Sequence, residues 1–184
     1  MKSTIAITSI IFTFGLVSLP LVWGDNDYEW GEHNNVSASI DTTDYPLYKE
    51  ECGSCHIAYP PALLPSRSWN KMMRELENHF GDNAELDDKT HQTINQFLNT
   101  NSADNVFSRI SGKFSREIKS TETPQRISDT AYFKDEHNEI PLYMVTANDK
   151  VNSFSQCNAC HTKAEQGLFD EDDVTIPGFK KWDD

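Results

Sequence analysis

Apolar residues recur at helical spacing in the middle of the chain. Ser66 or Ser68 can cap the start of a helix there, and Gly81 is suited to follow its end. The pattern therefore predicts one helix that stops before Gly81. Five residues at positions i, i+3, i+4, i+7 and i+11 form its apolar face: Trp69, Met72, Met73, Leu76 and Phe80.

A second helix is predicted over residues 87–98, with Ile94, Phe97 and Leu98 facing inward. Shorter or weaker patterns mark three more segments: a helix over 107–118, an ambiguous run over 140–145, and a turn followed by a helix over 152–164. No segment alternates convincingly between apolar and polar residues, as a strand would. The chain is therefore predicted to be mainly α, with little or no sheet.

Proline dominates the segment from Tyr59 to Pro65, which rules out a helix or a central strand there. We expect a fixed loop whose apolar residues cover the face or edge of a bound group. The acidic run over 170–173 lacks the spacing and the glycine of an EF-hand loop, so it is interpreted as a solvated loop.

The N-terminal 24 residues have the pattern of a secretory signal peptide. Lys2 is followed by an apolar stretch over 5–22, and Gly24 offers a small residue for cleavage before Asp25. An uncleaved membrane anchor is the alternative, although the stretch is marginal in length and contains hydroxyl side chains. Residues 25–44 are polar and are predicted to form an extended lead-in.

The composition restricts the possible partners. The formal net charge of −13 makes nucleic acid and anionic lipid poor partners, and favours a protein with a positive patch. The hydrophobic fraction of 37% is low for a globular protein, so a bound apolar group could complete the core.

All four cysteines fall into two C-x-x-C-H pentapeptides, Cys52 to His56 and Cys157 to His161. This is the pattern of c-type haem attachment, in which two thiols bond to the macrocycle and the adjacent histidine ligates the iron. Zinc binding, a thioredoxin-like motif and two disulfides are the alternatives. None of them requires a histidine after each pair, and no βαβ pattern surrounds either motif.

Two haems imply two haem units, predicted over residues 45–105 and 106–184. Both motifs are expected at helix starts. Covalent haem attachment and the predicted signal peptide both indicate a bacterial periplasm, with no stable membrane insertion after signal removal.

The sixth ligand of each iron decides between electron transfer and chemistry at an open iron. His79 is predicted for the first haem, because it lies along the edge of an apolar helical face. His137 is predicted for the second, with Met144 as the alternative. A crossed arrangement, in which each half ligates the other's haem, remains open. The other candidates are weaker: His33 in the lead-in, His91 on an exposed face, and Met72 and Met73 as core residues.

Several runs of the sequence resemble the bacterial dihaem cytochrome c family. The most specific is Tyr59-Pro60-Pro61-Ala62-Leu63-Leu64-Pro65 after the first motif; others cover 79–82, 132–141 and 167–177. The resemblance implies a periplasmic electron carrier with two bis-histidine haem c groups. It also implies a redox partner, such as an oxygen-binding monohaem cytochrome c or a membrane cytochrome b.

The leading hypothesis is electron transfer without substrate turnover, so no catalytic residue is predicted. The alternatives are a small dihaem peroxidase and a haem-based gas-binding or sensor protein. Each needs one open iron, and the peroxidase also needs acid–base groups beside it.

Overall fold

The computed structural model describes residues 42–179. Three of the sequence predictions concern parts of the chain outside these residues: the signal segment over 1–24, nearly all of the lead-in over 25–44, and His33.

The described residues contain six α-helices and several 3₁₀ turns. The helices are α1 (Tyr45–Cys52), α2 (Ser66–Arg74), α3 (Asp88–Thr100), α4 (Arg109–Glu117), α5 (Ala131–Glu136) and α6 (Cys157–Cys160). Between residues 42 and 179 there is no named strand; two isolated antiparallel bridges join His79 to Asp82 and His161 to Val174. The prediction of a mainly α fold is confirmed. Within the same range, no helix combines the length and apolar character needed to cross a bilayer.

Side-chain caps define where α3 and α4 begin. The Asp87 carboxylate accepts hydrogen bonds from the backbone N–H groups of Lys89 and Thr90. Ser108 and Ser111 form a reciprocal capping box at the start of α4. Ile94, Phe97 and Leu98 are all buried, as predicted for the second helix.

The first predicted helix is shorter than its apolar pattern indicates. The α-helix ends at Arg74 and a 3₁₀ turn follows over Leu76–Asn78. Phe80 and Gly81 then adopt positive φ angles of 57° and 110°, which no α-helix contains. The prediction was therefore wrong for Phe80, whose side chain is 47% exposed.

The two motifs lie at opposite ends of their helices. Cys52 is the last residue of α1, whereas Cys157 is the first residue of α6. The expectation that both motifs lie at helix starts was wrong for the first motif, because the residues before it form a helix of their own, which packs Tyr48 into the core.

A single apolar cluster takes side chains from both halves of the chain. Leu64 and Ile94 lie in it with Ile110, Phe114 and Phe133 from the second half. The proline-rich segment is at its centre: residues 60–65 are all buried and contain one 3₁₀ turn. The two predicted haem units therefore contribute to a common core, and the boundary between them at 105 and 106 stays a prediction.

Candidate functional site

The histidine of the first motif lies opposite His79. The ring centroids of His56 and His79 are 6.2 Å apart, and the ring planes are inclined by 36°. The Nδ1 atom of His56 lies 2.7 Å from the carbonyl oxygen of Ile57. Since a carbonyl oxygen can only accept, this contact places the proton on Nδ1 and leaves the Nε2 lone pair free for a metal.

His79 is positioned by a turn rather than by a helix. Its backbone N–H donates to the Asp82 carbonyl (2.7 Å), and the Asp82 N–H donates back to the His79 carbonyl (3.2 Å). Phe80 packs edge-on against the ring, and the Arg126 guanidinium lies 3.8 Å from the centroid of Phe80. Burial, followed by the nearby His56, lowers the pKa of His79. The ring is therefore kept in the neutral form that binds metals.

The second motif has the same kind of partner. The ring centroids of His137 and His161 are 6.1 Å apart, with the planes inclined by 67°. His137 follows α5, and its Nδ1 lies 2.8 Å from the carbonyl oxygen of Phe133. Burial and then His137 lower the pKa of His161 to about 4. Burial also lowers the pKa of His137, so both imidazoles are neutral at pH 7 and able to ligate a metal.

A cavity of about 620 Å³ surrounds the second pair of histidines. Its wall includes the Cys157 and Cys160 side chains together with both imidazoles. Apolar residues from distant parts of the chain form much of the rest: Leu63, Ile110, Phe114, Phe133, Phe154 and Phe169. Leu63 belongs to the proline-rich loop, so that loop does contribute to the wall of a candidate site.

No disulfide joins the four cysteines of the two motifs. Cys55 is exposed, whereas Cys52, Cys157 and Cys160 are half-buried, so each motif lies at the edge of the apolar core.

The spacing of the two histidine pairs fits one metal ion in each. A metal–imidazole nitrogen bond is about 2 Å long, as in zinc sites, and the ring centroid lies about 1 Å beyond the nitrogen, so two trans imidazoles have centroids about 6 Å apart. The observed 6.2 and 6.1 Å agree with this spacing. In addition, the Nδ1 atom of His161 is buried and has no hydrogen-bond partner among the described residues. Such an atom is expected at a polar site that lacks its bound group.

The structure separates these four histidines from the other candidates. The His91 ring is half-buried, not exposed as predicted, and its Nε2 lies 2.8 Å from the Met73 carbonyl oxygen. Met73 is a buried core residue, and Met144 is absent from the wall of the second cavity. Each pair comes from one half of the chain, so the described arrangement is not crossed.

Several aromatic residues beside the histidines were not identified from the sequence. Tyr59 stacks on His56 with centroids 4.6 Å apart and planes inclined by 21°. Phe133 stacks on His137 at 3.9 Å and 10°, and Phe169 lies edge-on to His161 at 5.4 Å. Each of the three nevertheless lies in a run that resembles the dihaem cytochrome c family, since these runs cover residues 59–65, 132–141 and 167–177.

Comparison with known proteins identifies the family. The dihaem cytochrome c family pattern matches residues 48–169. A diheme cytochrome c from Shewanella baltica OS155 is 46% identical, with a TM-score of 0.62 over 74% of this chain and 96% of that one. One from Rhodobacter sphaeroides is 44% identical, with a TM-score of 0.62 over 71% of this chain and 100% of that one. No match was found among curated protein sequences. The chain therefore belongs to the dihaem cytochrome c family and carries two haem c groups.

Proposed function

We propose that this protein is an electron carrier in which both haem irons have two histidine ligands. The observation that carries the proposal is the pairing of each motif histidine with a second imidazole at the spacing of a shared metal. Because both histidines of a pair would hold the same iron, neither iron would be left open for a substrate. This supports electron transfer over turnover, and we assign no catalytic residue.

The cysteines and histidines have distinct roles in this proposal. Cys52 and Cys55 hold the first haem covalently, and Cys157 and Cys160 hold the second. His56 and His79 would hold the iron of the first haem, and His161 and His137 would hold that of the second. Each haem supplies an iron that alternates between the ferric and ferrous states, so it takes up or releases one electron.

The protein groups around the ligands favour the ferric state. Two imidazoles give a lower potential than a histidine–methionine pair. Hydrogen bonds from Nδ1 of His56 and His137 to the Ile57 and Phe133 carbonyls increase the basicity of these ligands. We therefore expect a low-potential carrier.

We also propose a periplasmic location and a redox partner with a basic docking face. The location is supported by the signal-like N-terminal sequence and by covalent haem attachment, and the docking face by the net charge of −13. A monohaem cytochrome c or a membrane cytochrome b would be a suitable partner.

Removing one proposed ligand tests the function directly. His79→Ala should open one iron, which would give a high-spin optical band and new carbon monoxide binding. The matched control is His91→Ala, because His91 is a half-buried histidine of the same half whose Nε2 contacts a backbone carbonyl. Optical spectra of both variants and of the native protein, with and without carbon monoxide, provide the measurement.

The proposal requires a native spectrum that is low-spin and unaffected by carbon monoxide. A native high-spin band would instead indicate a peroxidase or a gas-binding protein. Identical behaviour of the two variants would remove His79 from the ligand set.

A further inference from the structure

Tyr59 connects the two candidate haem sites. Its ring stacks on the His56 imidazole, with centroids 4.6 Å apart and planes inclined by 21°. Its hydroxyl donates a hydrogen bond of 2.6 Å to the carbonyl oxygen of Ser155, two residues before Cys157. One side chain thus contacts the proposed ligand of the first haem and the segment that carries the second motif.

Both ends of Tyr59 are held in place. The hydroxyl of Tyr48, a residue only 2% exposed, donates a 2.7 Å hydrogen bond to the Tyr59 carbonyl oxygen. The backbone of Tyr59 is therefore anchored by α1 while the phenol is anchored by Ser155. A ring fixed at both ends is a rigid surface for the imidazole stacked on it.

The plane of the His56 ring is restrained by two described contacts on its own side of the site. One is between Nδ1 and the carbonyl of the adjacent Ile57, and the other is the stack on Tyr59. The stacked tyrosine limits the rotation that remains. The orientation of an axial ligand affects the electronic structure of the iron, and groups outside the first coordination shell commonly set that orientation.

We propose that Tyr59 is a positioning residue that fixes the plane of the His56 imidazole and ties it to the segment of the second motif. The inference rests on the proposed ligation of the first haem by His56 and His79. It adds a function for the tyrosine of the proline-rich loop, whose ring stacks on one of the two imidazoles that are inclined by 36°.

Electron paramagnetic resonance of the ferric holoprotein tests this proposal. The g-value anisotropy of a low-spin bis-imidazole haem depends on the angle between its ligand planes. The angles of 36° and 67° should therefore give two distinguishable signals. Failure to detect bis-imidazole signals in the native protein would contradict the proposed function, whereas the Tyr59 inference is decided by the variants.

Tyr59→Leu removes both the stack and the hydrogen bond, and Tyr59→Phe removes the hydrogen bond alone. We expect the signal of the 36° pair to shift in the leucine variant and to shift less, in the same direction, in the phenylalanine variant. The control is Tyr45→Phe. Tyr45 is also half-buried and also donates to a distant backbone carbonyl, that of Glu165, but among residues 42–179 its ring packs against Tyr48 and Phe97 rather than a histidine.

Native g-values in Tyr59→Leu would overturn the proposal, because the imidazole would then be oriented without Tyr59. An equal shift in Tyr45→Phe and Tyr59→Phe would also overturn it, since the change would reflect the loss of any phenol hydroxyl. If the leucine variant fails to retain two haems, the comparison of the two phenylalanine variants on the same signal decides the question.

Discussion

Four histidines and four cysteines determine the chemistry of this protein at the scale of single residues. The local surroundings of each proposed ligand favour metal binding. Nδ1 of His56 and of His137 contacts a carbonyl oxygen. Because burial lowers the pKa of His79, His137 and His161, these imidazoles are held neutral for metal binding. Local chemistry therefore favours ligation before any haem is attached.

The assignment of two cysteines to each haem predicts the result of removing one pair. Changing Cys52 and Cys55 together to Ala should leave one haem per chain, attached through Cys157 and Cys160. Mass spectrometry of the purified protein measures the number of covalent haems. The reciprocal double variant at Cys157 and Cys160 is the control and should also retain one. Loss of both haems from either variant would show that the two sites are not filled independently.

At the scale of secondary structure, short elements rather than long helices carry the ligands. His79 follows a 3₁₀ turn, His137 follows the six-residue helix α5, and His161 follows the four-residue helix α6. Helices this short are not stable alone and depend on their caps and on packing. The position of a ligand is therefore sensitive to a single capping residue.

Thr130 provides such a cap for α5. Its hydroxyl accepts a hydrogen bond from the Phe133 N–H and donates one to the Ile127 carbonyl oxygen. Thr130→Val keeps the shape of the side chain but removes both hydrogen bonds of the hydroxyl. The Ile127 carbonyl still accepts from the Thr130 backbone N–H, whereas the Phe133 N–H loses its cap, so we expect the free energy of unfolding to fall by about 1 kcal/mol. Denaturant unfolding of the holoprotein measures it.

The control for this change is Thr130→Ser, which keeps the hydroxyl and loses a buried methyl group. Its two hydrogen bonds should re-form. His137 should stay in place, so the optical spectrum of the variant should match that of the native protein. A valine variant as stable as the native protein would show that the cap makes no net contribution.

At the scale of the whole molecule, the two relevant features are a shared apolar core and an excess of negative charge. The core joins side chains of both halves, so the two sites are parts of one packed structure. The net charge of −13 gives the chain a long-range attraction for a cation-rich surface. Rigid packing and charge steering are the properties expected of a carrier that docks transiently.

The charge predicts how electron transfer depends on salt. Transfer to a basic partner should be fast at low ionic strength and slow as salt is added, because exposed charges are screened over about 10 Å at 0.1 M. Stopped-flow mixing of the reduced protein with a basic and with an acidic monohaem cytochrome c makes the comparison. The acidic protein is the control, and its rate should not fall. A rate independent of salt for both would mean that docking depends on apolar contact.

The sequence alone determined the cofactor chemistry and most of the helices. Two cysteines separated by two residues and followed by a histidine specify haem attachment. This spacing is defined along the chain and does not depend on the tertiary fold. The helix over residues 87–98 was predicted because its apolar face and its cap lie close together in the sequence. These features are local, so a linear pattern contains them.

Only the tertiary structure decided what lies beside each histidine. The apolar periodicity predicted a first helix that stops just before Gly81, because periodicity reports the spacing of apolar residues and not the backbone angles. In the structure the α-helix ends at Arg74, and the backbone has positive φ angles at Phe80 and Gly81. The hydrogen bonds from Tyr59 to Ser155 and from Tyr45 to Glu165 join residues 96 and 120 positions apart. Such contacts form when distant segments share one core, and a pattern read along the chain does not specify them.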